Sequence, residues 1–156
     1  MKGDPKLLET LNALLADEIT AISQYMVHSE MCNAWGYGKL HENIEKRAID
    51  EMKHAEKLIG RILFLEGMPI VTKLNKMVIG SDVQKQFVSD IEAEKGAIEA
   101  YNKAIKLAAE VGDNVTKHLL EEILLDEDAH IDKLEEMKEQ VEQLTLPLFL
   151  TTQIEK

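Results

Sequence analysis

Two copies of one nine-residue pattern restrict this chain more than any other feature. Asp50-Glu51-Met52-Lys53-His54-Ala55-Glu56-Lys57-Leu58 and Asp126-Glu127-Asp128-Ala129-His130-Ile131-Asp132-Lys133-Leu134 both read Asp-Glu-x-x-His-x-x-Lys-Leu. On a helix, residues three apart share one face about one turn apart, so Glu and His of each copy point the same way. Each copy also has an upstream companion. Glu18 and Glu94 each open the pattern Glu-x-x-Ala-Ile-x-x-Tyr, which closes at Tyr25 and at Tyr101. From Glu18 to Glu51 is 33 residues, and from Glu94 to Glu127 is 33 again. The chain therefore holds two equivalent half-sites, each made of one Glu and one Glu-x-x-His and each spread over two helices.

These residues are expected to face inward. Glu18 is flanked at helical spacing by Leu14, Leu15, Ala21 and Ile22, while Leu58 shares a face with Glu51 and His54, and Leu124 and Leu134 share one with Glu127 and His130. An ionised carboxylate on a core stripe is costly unless a partner or a metal takes it. Four carboxylates and two imidazoles suit a pair of iron or manganese ions, since hard oxygen donors hold both oxidation states and imidazole completes the sphere. A solvated helix face explains one Glu-x-x-His readily. It does not explain two matched pairs with matched upstream glutamates.

The rest of the chain predicts an all-α fold. Asp4-Pro5 is an N-cap followed by a first-turn proline, opening a helix over about 5–35 that Gly36 and Gly38 break. A second helix spans about 39–66, ending at Gly67 with Pro69 beyond. Residues 67–82 lack helical period and read as a long connection. Sixteen extended residues reach roughly 50 Å, enough to traverse a 28-residue helix of roughly 42 Å. Helices over about 82–111 and 114–143 follow, then a short fifth over about 147–154. Two hairpins joined by a full-length crossover bring both half-sites to one depth, which is the ferritin-like topology; an up-down-up-down bundle needs only a short loop there. One domain, 1–156, is expected, and the apolar tail Leu146, Leu148, Phe149, Leu150 and Ile154 suggests burial against a neighbouring subunit.

Charge excludes some functions. A formal net charge of −11 and a pI near 4.9 argue against nucleic-acid binding, which needs a basic patch, and favour attraction of cations. Cys32 is the sole cysteine and reads as a small buried filler, so no intrachain disulfide forms. The first residues lack the apolar core of a signal peptide and no run is long enough to span a membrane, so a cytoplasmic protein is expected.

Further motifs give these half-sites a family. Met-Lys-Gly-Asp at 1–4, Gln24-Tyr25, Ile49-Asp50-Glu51-Met52-Lys53-His54-Ala55 and Arg61-Ile62-Leu63-Phe64-Leu65-Glu66-Gly67 resemble the bacterioferritins, the haem-containing branch of the ferritins, over the full length. The resemblance implies a shell of 24 subunits built from two-fold dimers, storing ferric mineral. It also implies a ferroxidase di-iron centre in each bundle, haem between paired subunits, and a ferredoxin-type electron donor for iron release. Fe(II) and dioxygen or hydrogen peroxide would be the substrates. Carried over residue by residue, Glu18, Glu51, His54, Glu94, Glu127 and His130 would be iron ligands, with Glu51 and Glu127 bridging. This ligand set is already established for ferritin-like carboxylate bundles and is matched here, not newly derived. Lys46 stands where some relatives carry His, and Lys133 where some carry Trp. His28, His41 and His118 read as structural or surface residues.

Met52 lies one residue past Glu51, about 100° around the helix and away from the bundle interior. Its face, with Ala48, Ile49 and Glu56, is expected to look outward, and Ile19, Ile22 and Met26 of the first helix extend it. Across a two-fold, two Met52 thioethers could approach one haem from opposite sides; the resemblance implies the same axial ligand.

Overall fold

The architecture follows from where the helices cap and stop. The computed structural model describes residues 1–154 and has five helices: α1 (Pro5–Ala34), α2 (Gly38–Phe64), α3 (Val83–Glu110), α4 (Asn114–Leu144) and α5 (Leu146–Thr151). Residues 155 and 156, the end of the expected domain, lie outside the described residues. The Asp4 carboxylate accepts from the Lys6 and Leu7 amides, Asp82 caps α3 through Lys85 and Asp113 caps α4 through Thr116. Gly36 and Gly112 close α1 and α3 with φ of 87° and 77°, where a side chain would be strained.

The end of α2 departs from expectation. Helix α2 stops at Phe64 and not at about 66, and Glu66 takes the left-handed position with φ 62°. Gly67 packs closely as well: a Cβ there would sit 2.7 Å from Leu8 Cδ2 and 3.1 Å from Ile62 Cγ2, so those side chains would have to shift.

Contacts between helices fix their directions. Ser29 of α1 meets His41 of α2, Glu18 meets Tyr101 of α3 and Tyr25 meets Glu94, so α1 runs antiparallel to both α2 and α3. His54 meets Asp126 and Asp50 meets His130, which sets α2 antiparallel to α4. Both hairpins therefore point oppositely, as the crossover requires. Residues 65–82 run back along α1, tied at successive turns: Asn12 to Met68 and Ile70, Thr20 to Asn75, Gln24 to Val78 and His28 to Gly80.

The core is divided. One apolar cluster holds Leu7, Leu11, Leu14, Leu58, Ile62, Tyr101, Ala104, Leu120 and Ile123; the other holds Tyr25, Cys32, Leu40, Ile44, Phe87, Leu134, Met137 and Phe149. All six half-site residues fall in the layer between them. Cys32 is fully buried, and burial pushes its thiol up to about 12, so it stays a neutral filler.

The tail is half of what was expected. Helix α5 stops at Thr151, not 154, because the chain turns to give the Gln153 carbonyl to the Lys39 amide at the start of α2. Phe149 is buried in its own bundle, edge-on to Phe87 at 5.9 Å, which corrects its assignment to a neighbouring subunit. Leu148 and Ile154 remain exposed at 58% and 54%. Phe149→Ala is thus expected to destabilise the subunit itself by about 3–5 kcal/mol in chemical denaturation. An unchanged midpoint would contradict that packing.

Candidate metal centre

Each ligand candidate sits near the middle of its helix because the repeat places it there. Glu18 comes from α1, Glu51 and His54 from α2, Glu94 from α3, and Glu127 and His130 from α4. Five of the six are 1% exposed or less, and the His130 side chain is 10% exposed.

The hydrogen bonds orient these groups before any ion arrives. His54 Nε2 lies 2.8 Å from an Asp126 carboxylate oxygen and His130 Nε2 3.0 Å from one of Asp50. A carboxylate accepts, so each Nε2 carries a proton and each Nδ1 faces inward. Tyr101 donates to Glu18 Oε1 at 2.8 Å and Tyr25 to Glu94 Oε1 at 2.6 Å, each tyrosine serving the other hairpin's glutamate. Burial and the adjoining carboxylates push both phenols well above their ordinary value, so they stay protonated donors. The second oxygens, Glu18 Oε2 and Glu94 Oε2, are left free.

What remains unpaired defines the site. Among the described residues, eight buried side-chain nitrogen or oxygen atoms lack a hydrogen-bond partner, and seven belong to these six residues. Such atoms are normally satisfied, so seven in one place call for an ion. His54 Nδ1 is 3.5 Å from Glu18, 3.4 Å from Glu51 and 3.3 Å from Glu127. His130 Nδ1 is 3.5 Å from Glu94, 3.2 Å from Glu51 and 3.3 Å from Glu127. Two four-residue groups result, Glu18–Glu51–His54–Glu127 and Glu51–Glu94–Glu127–His130, with Glu51 and Glu127 common to both. Hard oxygens with one imidazole per position fit iron.

Proton affinities follow from this crowding. Burial raises Glu18 and Glu51 above the ordinary carboxylate range, and Glu94 to about 7. Burial opposes ionisation of Glu127 too, but His130 and His54 outweigh it and hold that carboxyl low. For the histidines burial favours the neutral ring; the glutamates overcome it, lifting His130 to about 12 and raising His54 likewise. The metal-free cluster thus retains protons at Nδ1 and on some carboxylates, and a divalent ion must displace them. Affinity for Co(II) is expected to fall by about tenfold or more from pH 8 to pH 6, because protons compete for the same atoms. A pH-independent titration would contradict this.

Comparison with known proteins agrees with this geometry. Residues 8–144 match the Ferritin-like domain. The chain is 44% identical over 135 residues to a bacterioferritin of Rhodobacter capsulatus, covering 86% of this chain and 84% of that protein. It is 40% identical over 149 residues to a bacterioferritin of Mycolicibacterium paratuberculosis, covering 96% and 94%. A bacterioferritin of Streptomyces coelicolor is 38% identical over 156 residues, covering 100% of this chain and 93% of its own. This chain belongs to the bacterioferritin family. Membership makes it an iron-storage protein, and no helix among the described residues is long and apolar enough to cross a membrane.

Sequence reading missed several residues that orient this candidate centre. Asp50 and Asp126 were visible as the first residue of each repeat, yet only the fold shows them crossing to the opposite histidine. Asp90 left no such trace. It is 1% exposed, accepts from Gln24, His28 and Arg47, and is held below the usual carboxylate range because Arg47 and His28 outweigh burial. The Gly80 amide donates to His28 Nε2, so His28 Nδ1 carries the proton shared with Asp90; His28 is structural, as expected.

The expected outward face also needs one change. Met52 and Ile49 are 46% and 42% exposed, and Met26 on α1 is 54% exposed, but Ala48 is buried in a core cluster. Ala48 lies one turn before Met52 but packs inward with the cluster of Leu40 and Ile44.

Proposed function

We propose that each subunit oxidises Fe(II) to Fe(III) at a di-iron centre held by Glu18, Glu51, His54, Glu94, Glu127 and His130. The observation that carries this reading is the convergence of seven unpartnered buried donor atoms on one point between four helices. Two Fe(II) ions as substrate would lie about 3.5–4 Å apart, the usual spacing for paired metals. Glu18 and His54 would hold one and Glu94 and His130 the other, with Glu51 and Glu127 spanning both.

In the net reaction each Fe(II) gives one electron, and dioxygen takes both with two protons to become hydrogen peroxide. The protein's own part is electrostatic. Four glutamates oppose four positive charges on two ferrous ions, and so favour the ferric product still more strongly. Asp126 and Asp50 hold the imidazoles in place, and the protons at Nδ1 leave as iron enters. The two apolar clusters on either side keep water from the ends of the layer.

The ferric product is stored as mineral inside a shell of 24 subunits assembled from two-fold dimers. The exposed parts of the tail, Leu148 and Ile154, are available to contact other subunits. Haem fits Met52 in its setting: a soft thioether, half exposed, one turn from exposed Ile49 on α2, with Met26 exposed on α1. Bound there between one protomer and its partner, haem would supply an electron route from a ferredoxin-type donor for reductive iron release. Stopped-flow absorbance after anaerobic loading tests the oxidation: fast ferric formation should saturate at two Fe(II) per subunit. Absence of a saturating fast phase would overturn the proposal.

A further inference from the structure

We infer that Arg47 makes the two iron positions unequal, so that the Glu18–His54 position fills before the Glu94–His130 position. The inference rests on the di-iron reading above and concerns how that site loads.

The ligands themselves obey the repeat, with a constant offset of 76 residues between halves. Their surroundings do not. At that offset Arg47 corresponds to Ile123, Asp90 to Leu14, His28 to Ala104 and Gln24 to Ala100. Next to the first position these places are apolar, and Leu14, Ile123 and Ala104 are buried in the same cluster as Tyr101. Next to the second they form a buried polar knot.

That knot presents a cation to one ion only. The Arg47 guanidinium stacks 4.3 Å from the centroid of the Tyr25 ring, and the hydroxyl of that ring donates to Glu94 Oε1 at 2.6 Å. Nη1 is engaged by Asp90, but Nη2 is buried without a partner. It is the eighth unpartnered atom and the only one outside the ligands, among the described residues. A positive charge one phenol ring away opposes a second cation through a poorly screening interior, with the Asp90 carboxylate offsetting part of it. It also strengthens the hydrogen bond that Tyr25 gives Glu94, drawing electron density from that carboxylate. Tyr101, which serves Glu18, has no such cation over its ring among the described contacts.

Two further features act the same way. A cleft of about 390 Å³ opens over His130, lined by Lys46 and Lys133 together with Asp50 and Asp126; Lys133 matches Lys57 of the other half, but the counterpart of Lys46 is Glu122. Water reaches His130, 10% exposed, more than His54, 1% exposed. The Arg47 guanidinium, Lys46 and the greater exposure of His130 thus act against a cation at the second position, and only the Asp90 carboxylate acts the other way.

Anaerobic titration of the assembled, metal-free protein with Co(II), followed by its d–d absorbance, tests this. Two ions per subunit are expected in two phases, the first tighter by about tenfold or more. Glu94→Ala should keep the tight phase and Glu18→Ala the weak one. Arg47→Gln should tighten the second phase toward the first, whereas Arg47→Lys, which keeps the charge, should preserve the gap. Two phases of equal affinity in the unaltered protein, or equal shifts in the Gln and Lys variants, would overturn the inference. Fewer than two Co(II) per subunit would instead overturn the di-iron reading beneath it.

Discussion

Glu18→Ala or His130→Ala is expected to slow the oxidation of Fe(II) by at least about 100-fold, beyond the 10- to 100-fold typical of losing only an outer partner of a ligand. Each substitution removes an atom that no other side chain can replace. With Glu18 gone, the first position keeps only His54 and the two shared glutamates, and Tyr101 loses its acceptor. With His130 gone, the second position loses its imidazole and Asp50 its partner. Folding should survive: Glu18→Ala removes one buried carboxylate from a crowded layer, and in His130→Ala the glutamates that faced the ring can take up protons in its place, as burial already favours. Stopped-flow absorbance and size-exclusion chromatography together decide the point. Unaltered rates in both variants would sink the ligand assignment, and a disassembled particle would show that the layer is structural.

Met52→Leu is expected to abolish haem binding while leaving particle size and ferroxidase rate unchanged. Leucine keeps the volume and the apolar character of the half-exposed face and takes away only the sulfur. The centre lies on the opposite side of α2, where Glu51 and His54 point inward, so its chemistry has no reason to change. The visible spectrum of the purified variant after haem addition reads the outcome through the Soret band. Stoichiometric haem in the variant would show that another residue is the axial ligand.

The sequence carried the centre because a metal site of this kind is written twice. The Glu-x-x-His spacing, the upstream glutamates and the offset between halves survive translation into helices without further information, and so did the long crossover. Asp50 and Asp126 were also written twice, but a carboxylate beside a ligand has no address until two antiparallel helices bring it to the other helix's histidine. Arg47 and Asp90 could not be read at all, and His28 only as a structural or surface residue. They come from three helices, and they matter because they break the repeat that made everything else legible.

Misplaced elements have equally local causes. Phe149 looked like an exposed apolar tail because nothing in a heptad-free segment says that a turn at Thr145, with φ 72°, will fold it back onto Phe87. Ala48 does neighbour Met52 along the helix, yet the apolar face of α2 is wide enough to bury Ala48 with Leu40 and Ile44 while Met52 stays exposed. Helix α2 is expected to end at Gly67, but it stops at Phe64, and the left-handed residue that closes it is Glu66.

Anomalous diffraction from crystals soaked anaerobically with Fe(II) tests the central claim most directly. Two peaks per subunit are expected between the four helices, about 3.5–4 Å apart. One should contact Glu18 and His54 and the other Glu94 and His130, with Glu51 and Glu127 reaching both. A single peak, or iron bound only outside this layer, would contradict the di-iron centre.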